Sequence, residues 1–210
     1  MLSADLTLNP WALALILYVM LAALTALPIF KALSRKIELH PGGPSFDSAA
    51  HFSESGRERL QQNYERIRGT LEFWKNKAEL YKRMHFYILW WTIPSSVIIP
   101  FLAQASTEDA FSKWLITVIS GFSAILLAVH RSFKVHENYK SFREGESNFY
   151  DSYRRMLDRP ATFGKDEETQ IAAYFDEVEN LRKFVRNAEI DNTPALEQAK
   201  SQLKDEASKT

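Results

Sequence analysis

The chain has 210 residues, 26 of them basic and 26 acidic, for a formal net charge of +0. Dedicated nucleic-acid binders carry a basic excess, so this balance argues against nucleic acid as a partner. The sequence has no cysteine, which excludes disulfides, thiolate metal sites and cysteine nucleophiles. Its mean hydropathy of −0.26 resembles that of a soluble protein. That average hides a segregation: charges crowd residues 54–84 and 131–190 and almost vanish from three stretches. With only seven glycines and eight prolines, a mostly helical protein is expected.

Residues 11–30 form the first uncharged stretch. At ~1.5 Å rise per residue, about 20 residues of helix cross a ~30 Å hydrocarbon core. The first ten residues contain Asp5 and no Lys or Arg, and the basic residues Lys31, Arg35 and Lys36 come afterwards. A cleaved signal peptide has a basic start and a shorter apolar run, so a retained anchor is expected over residues 1–33. Two further stretches, residues 84–104 and 111–130, carry no charge in their cores except Lys113 at the near edge of the second. Backbone polar groups in lipid must be satisfied internally, so runs of this length predict helices; for the last and shortest, a buried soluble helix is the competing reading.

The flanking charges predict one orientation. Lys31, Arg35 and Lys36 follow the first stretch; Arg66, Arg68, Lys75, Lys77, Lys82 and Arg83 precede the second; Arg131, Lys134, Lys140 and Arg143 follow the third. The connector 105–112 holds Glu108 and Asp109 and no basic residue. Lys and Arg collect on the cytoplasmic side, so the N-terminus is expected outside and the C-terminus inside. Trp11 and Trp114 then fall at the outer interface, where Trp is enriched.

Residues 34–53 read as a linker, with Pro41, Gly42, Gly43 and Pro44 at its centre. From about Glu54, Leu60, Tyr64, Ile67, Leu71, Trp74, Ala78 and Tyr81 recur at spacings of three and four. This heptad-like pattern predicts one long helix that packs along a partner and continues into the second apolar stretch. After the third stretch, Val135, Tyr139, Phe142, Phe149, Tyr153 and Met156 follow a similar rhythm, with Glu146 between them. The short 105–112 connector makes the second and third helices an antiparallel hairpin, so their cytoplasmic arms emerge side by side. Arg159-Pro160 stops the second arm. A further amphipathic helix is expected over about 166–189, with Ile171, Tyr174, Phe175, Val178, Leu181, Val185 and Ala188 as its stripe. Asp166, Glu167 and Glu168 suit its positive end. The tail 191–210 is polar, and Thr193-Pro194 suits the start of one more short helix.

Catalytic motifs are absent. The five histidines, His40, His51, His85, His130 and His136, sit in no zinc-protease or nucleophile-elbow arrangement, and there is no glycine-rich phosphate loop. Neither enzyme activity nor a cofactor is expected. Glu144 and Glu146 lie two apart on a helix and do not share a face. Arg57, Arg59, Arg66 and Arg68 alternate with Glu54, Glu58 and Glu65, the pattern of a solvated or lipid-facing surface. His85 and His130 lie at the inner ends of the second and third helices, where a hairpin brings them near one another. The choice there is between interfacial imidazoles without special function and a pH-sensitive inner gate or metal pair.

The informative polar content lies inside the apolar stretches. Thr92, Ser95 and Ser96 share one side of the second helix, which also carries Pro94 and Pro100. Ser120, Ala124 and Ala128, with Thr117 and Gly121 beside them, give the third helix a small-residue seam. Small residues let backbones approach closely. Packing of the hairpin itself is the simplest role; a self-association face or a weakly polar pore wall is the functional one. The stretches contain no intramembrane acid or base, which weighs against a transporter or proton relay.

A basic amphipathic helix ending in Phe73-Trp-Lys-Asn-Lys-Ala-Glu-Leu-Tyr-Lys-Arg-Met84 precedes the two-helix hairpin, and the chain leaves it through His130-Arg-Ser-Phe-Lys-Val-His-Glu-Asn-Tyr-Lys-Ser-Phe-Arg-Glu-Gly-Glu-Ser-Asn-Phe-Tyr150. Over residues 57–157 this layout resembles the SLATT family (SMODS- and SLOG-associated two-transmembrane effectors) and related bacterial membrane domains. The resemblance implies a bacterial inner-membrane effector of nucleotide-signalled defence. Such a protein would assemble as a homo-oligomer and breach the membrane when a partner protein senses or synthesises a nucleotide. The extra N-terminal helix and the lack of a recognisable nucleotide sensor depart from the pattern.

The expected fold is therefore an all-α membrane protein of three transmembrane helices, the second and third forming an antiparallel hairpin extended by a cytoplasmic helical bundle. Its segments are an anchor (1–33), a linker (34–53), a SLATT-like core (54–158), an amphipathic helix (159–190) and a polar tail (191–210).

Overall fold

The computed structural model describes residues 9–34, 39, 45–106 and 108–193. Arg35, Lys36, His40, the Pro/Gly centre of the linker, and Pro194 with the tail beyond it lie outside the described residues. Five α-helices and two short 3-10 turns account for almost all of the rest: α1 (Pro10–Ser34), a turn at Phe46–Ser48, α2 (Glu54–Ala105), α3 (Ala110–Ser132), α4 (Val135–Asp158), a turn at Pro160–Thr162, and α5 (Glu167–Asn192).

Three of these helices, α1, α2 and α3, are long and apolar enough to cross a membrane. Only 6%, 17% and 22% of their most apolar windows are buried within the chain. Soluble proteins do not leave contiguous apolar surface of that extent uncovered, and a membrane-spanning location accounts for it. α1 is the extreme case, with Ala22 as its one buried residue while Leu17, Leu24 and Phe30 stand more than half exposed.

α2 is a single helix of 52 residues, about 78 Å long at 1.5 Å per residue. Ser53 caps its start by accepting the Gly56 N–H (3.1 Å). The predicted stripe is the buried face of its first half: Leu60, Tyr64, Ile67, Leu71, Trp74 and Ala78. The solvent face is laced by Arg68 between Glu65 and Glu72 and by the Glu79–Arg83 pair. Pro94 and Pro100 fall in the second half without ending the helix.

α3 packs against the apolar half of α2, with His85 beside His130 and Trp91 beside Phe122. Asp109 caps α3 by accepting the Phe111 N–H (2.7 Å) and also takes a hydrogen bond from the Asn9 side chain, which ties the start of α1 to that of α3. The small-residue seam does not pack this helix pair. α3 turns Ser112, Leu115, Ile119, Ser123 and Leu126 inward, whereas Thr117, Gly121, Ala124 and Ala128 are exposed and Ser120 is half-buried. In lipid, burial carries no water-driven gain, and the rotation of α3 follows the packing of Leu115, Ile119 and Leu126 against their neighbours, with Ile125 and Leu127 left outside.

Between α3 and α4 the helix breaks at Lys134, which sits in the left-handed region (φ 41, ψ 51). That conformation costs a non-glycine residue roughly 1–2 kcal/mol. Two bonds offset it: the Asn138 amide donates to the Phe133 carbonyl (2.9 Å), and the Lys134 ammonium donates to the Asp191 carbonyl at the end of α5 (2.8 Å). The rhythm of α4 then buries Val135, Asn138, Phe142, Gly145, Phe149, Ser152 and Met156, again at spacings of three and four. Asn138 takes the inward position expected of Tyr139, which is half-buried. Glu146, buried within the stripe, is neutralised by Arg143 one turn earlier (2.7 Å). At Gly145 a Cβ would collide with the Val185 side chain of α5 and touch the Trp74 ring of α2, so glycine is what lets three helices meet there.

The polar ends of the molecule form one core. It gathers α2, α4 and α5 around Tyr64, Leu71, Trp74, Phe142, Phe149, Tyr174 and Val185. The segment read as a linker contributes Leu39, Phe46, Ala49 and Phe52 to the same core. Phe46 is completely buried, edge-on to Tyr153 (4.6 Å) and Tyr174 (5.8 Å). Burial pushes the Tyr150 and Tyr153 hydroxyls up to about 12 and raises Tyr174 further still. The hydroxyl of Tyr174, a fully buried residue, has no hydrogen-bond partner among the described residues.

The free ends of α2 and α5 are latched. The hydroxyl and the N–H of Ser53 both donate to Glu167, the Arg59 guanidinium forks onto Glu168, and Asp166 caps α5 through the Thr169 N–H (3.0 Å). Ser53 therefore holds the Glu167 carboxyl below its usual range, Thr169 does so for Asp166, and Arg59 for Glu168.

Two outcomes test this packing. A buried, unpartnered hydroxyl costs about 1–3 kcal/mol. Tyr174→Phe removes it without emptying the core and should raise the thermal midpoint of the detergent-solubilised chain; a clear fall in Tm would mean that the hydroxyl has a partner. The three latch carboxylates have depressed folded pKa values, so their stabilisation is complete above the ordinary value of 4.5 for glutamate and is lost as pH falls through the lower folded values. Tm should decline between about pH 5 and pH 3, and Glu167→Gln should flatten part of that slope.

Candidate functional site

Two clusters of polar groups sit where the chain is otherwise apolar. The first lies among α1, α2 and α3. Thr92 and Ser95 are buried there, but each hydroxyl donates to its own helix, Thr92 to the Ile88 carbonyl (2.7 Å) and Ser95 to the Trp91 carbonyl (2.6 Å). Ser96 is exposed on the other side of Pro94 and donates to the Ile93 carbonyl (2.7 Å). In an apolar medium an unshared hydroxyl is costly, and folding it back on a carbonyl one turn earlier is the cheapest remedy. On α3, Thr117 does the same with the Lys113 carbonyl (2.9 Å). Thr92 and Ser95 thus share an inward face, while Thr117, Gly121, Ala124 and Ala128 make a separate, outward one.

The bonds that join the apolar helices come from residues that hydropathy alone does not single out. The Trp91 indole donates to the Thr25 hydroxyl (3.0 Å), which passes its own proton to the Leu21 carbonyl (2.6 Å). The Tyr87 hydroxyl donates to the Ala22 carbonyl (2.9 Å), and Arg83 reaches the Pro28 carbonyl (3.2 Å). Tyr18 stands edge-on to both Trp91 (5.0 Å) and Phe122 (6.1 Å). Beside this contact, at Pro94, a crevice of about 370 Å³ opens between the three helices, walled by Tyr18, Trp90, Trp91, Ser95, Leu115 and Ile119. Polar atoms inside an uncharged run were the available signal for Thr25, Tyr87 and Trp91. Their pairing depends on the helix rotations, which the run does not specify.

The second cluster lies at the inner ends of α2 and α3. His85 Nδ1 and His130 Nε2 are 3.0 Å apart, a hydrogen bond between two imidazoles. His136 joins them, its ring 4.9 Å from that of His85. On an unbroken helix the six residues from His130 to His136 would turn the second ring well away from the first, at 100° per residue. The left-handed break at Lys134 resets the phase and brings it back. His51 is not part of this group; its ring is tilted against that of Phe52 (4.7 Å). Among the described residues no set of three or more His, Asp or Glu side chains is placed to hold a metal ion.

A third feature lies in the polar half, a cleft of about 460 Å³ between α2 and α5. Asn63, Thr70 and Phe73 form one wall and Arg182, Lys183 and Arg186 the other. Glu179 pairs with Lys183 (2.7 Å) and its field also reaches Arg182 and Arg186, and Glu189 lines the same cleft.

The Trp91–Thr25 bond can be weighed directly. Hydrogen bonds between membrane helices average about 0.6 kcal/mol and reach about 1.7 kcal/mol. Thr25→Val should cost the full chain a similar amount in SDS-titrated mixed micelles. Trp91→Phe added to it should cost less than it does alone, because the bond is already gone. Fully additive losses would show that the two side chains do not interact.

No family model matches this sequence, and no curated protein and no solved structure is similar to it.

Proposed function

We propose that this chain is a multi-pass protein of the bacterial inner membrane whose copies associate through the outward face of α3, and that the assembly perturbs or perforates the bilayer when its polar helices receive a signal. The observation that carries this reading is the face of Thr117, Gly121, Ala124 and Ala128. It is small and exposed, and among the described residues nothing comes within 4 Å of where a Cβ on Gly121 would stand. Close backbone approach is what such residues permit, and a second copy of the chain would use it.

The orientation that fits the charges has the N-terminus outside and the C-terminus cytoplasmic. Lys31, Lys82, Arg83, Arg131 and Lys134 all stand at one end of the apolar helices. The hairpin of α2 and α3 would then carry the α2, α4 and α5 bundle on the cytoplasmic side. The resemblance to SLATT effectors supports a role in nucleotide-signalled defence, with a nucleotide-sensing or nucleotide-synthesising protein as partner. The cleft between α2 and α5 is a surface that such a partner would meet.

One observation favours a second reading. Thr92 and Ser95 spend their hydroxyls on their own helix rather than on a water path. A non-conducting scaffold, with the apolar helices as anchors and the cytoplasmic helices recruiting a protein, would need nothing more.

Induced expression in bacteria separates the two. The effector reading expects depolarisation, read with a potential-sensitive dye, and its loss in Gly121→Leu at equal levels in the membrane fraction. Intact membrane potential in cells expressing the parent chain rules out the pore. Retained function of the polar helices on an unrelated anchor selects the scaffold.

A further inference from the structure

The contact of three imidazoles at the α3–α4 corner has no role in either reading above, and it joins α2, α3 and α4 at one point. We propose that His85, His130 and His136 form a proton-sensitive joint, which holds α2 against the corner while at most one of the three rings is charged and lets the corner separate when more are.

Hydrogen-bond chemistry sets the limit. A neutral imidazole offers one donor and one acceptor, whereas an imidazolium has two donors and no acceptor. The 3.0 Å bond between His85 and His130 needs one ring nitrogen with a free lone pair, so the pair keeps its bond with one added proton and loses it with two. His136 packs its ring against His85 from α4, so a proton there places a second cation in the same contact. An ordinary histidine titrates near pH ~6.5, within a range that cells and compartments visit.

Glu137 on α4 is the carboxylate whose field reaches His85. Glu79 on α2 is already engaged by Arg83, which also reaches the Pro28 carbonyl on α1. Lys134 is turned to the Asp191 carbonyl on α5, Arg131 ends α3, Lys31 lies in the last turn of α1, and Lys82 is exposed on α2. On α5, the field of Glu189 reaches Tyr81, one turn before His85. The apolar contact that opposes repulsion among the rings is built on Ile88, Leu126 and Val135, with Tyr81, Met84, Tyr87, Trp91 and Phe122 packed around them. The helix is already interrupted at Lys134, between α3 and α4 and next to the three rings.

The joint acts on helix packing and holds whether or not the chain conducts. The chain has no cysteine, so Lys82→Cys and Lys140→Cys, both at exposed positions, can be spin-labelled in the full chain in zwitterionic nanodiscs. Pulsed dipolar spectroscopy should give one narrow distance at about pH 8 and a longer or broader distribution at about pH 5, and the pH series between them gives the midpoint of the change. The triple change His85→Gln, His130→Gln, His136→Gln should make the distance independent of pH. His136→Gln alone, at an exposed position that leaves the paired rings in place, should shift the midpoint. An invariant distance in the parent overturns the proposal, as does a pH response that survives in the triple variant with parental helix content. Imidazole NMR of the parent decides the chemistry: three superimposed single-step titrations would mean that the rings do not sense one another, and displaced, multi-step curves are expected.

Discussion

A backbone that runs unbroken for 52 residues and is polar at one end and apolar at the other must satisfy two environments with one geometry. α2 does this because an α-helix closes its own hydrogen bonds, so only its side chains need to change along its length. Its first half wears charge on one face and a stripe from Leu60 to Ala78 on the other; its second half is apolar nearly all round. The remaining elements follow from that division. α1 and α3 stand beside the apolar half, α4 and α5 beside the polar half, and the chain crosses between the two regimes near Tyr81, His85 and His130.

Inside the apolar layer four side-chain hydroxyls are handled locally. Thr92, Ser95, Ser96 and Thr117 return their protons to carbonyls of their own helices, so they neither weaken the layer nor specify its packing. Specificity comes instead from the amphipathic aromatics. Trp91 and Tyr87 have large apolar bodies and a single donor each, and those donors find Thr25 and Ala22 on α1. Such bonds fix the rotation of α1, which its nearly uniform apolar surface would otherwise leave undetermined.

In the polar layer the core is conventional in its chemistry and unusual in its aromatic content. Phe46, Tyr64, Phe142, Phe149, Tyr153 and Tyr174 fill the space between helices, with Gly145 allowing α2, α4 and α5 to converge. Carboxylates at the start of α5 latch the far end to Ser53 and Arg59, and Lys134 ties the near end to Asp191. α5 is thereby held at both ends, across the same corner at which the three histidines meet.

Periodicity and the segregation of charge made the helical composition, the three long apolar helices and the stripes of α2, α4 and α5 legible in advance. Each is a property of local spacing, which a linear sequence carries in full. Four features were decided only by the tertiary structure. The α3 seam turned outward because the packing of Leu115, Ile119 and Leu126 against neighbouring side chains sets the rotation of α3. The residues around Phe46 joined the core, although Pro and Gly mark their neighbourhood as a linker, because composition does not say which ring fills which hole. Lys134 broke the helix without glycine, sustained by Asn138 and Asp191. His136 then met His85 because that break reset the helical phase. Each depends on partners far apart in the chain, and relative rotation between helices is not written in the spacing of any one of them.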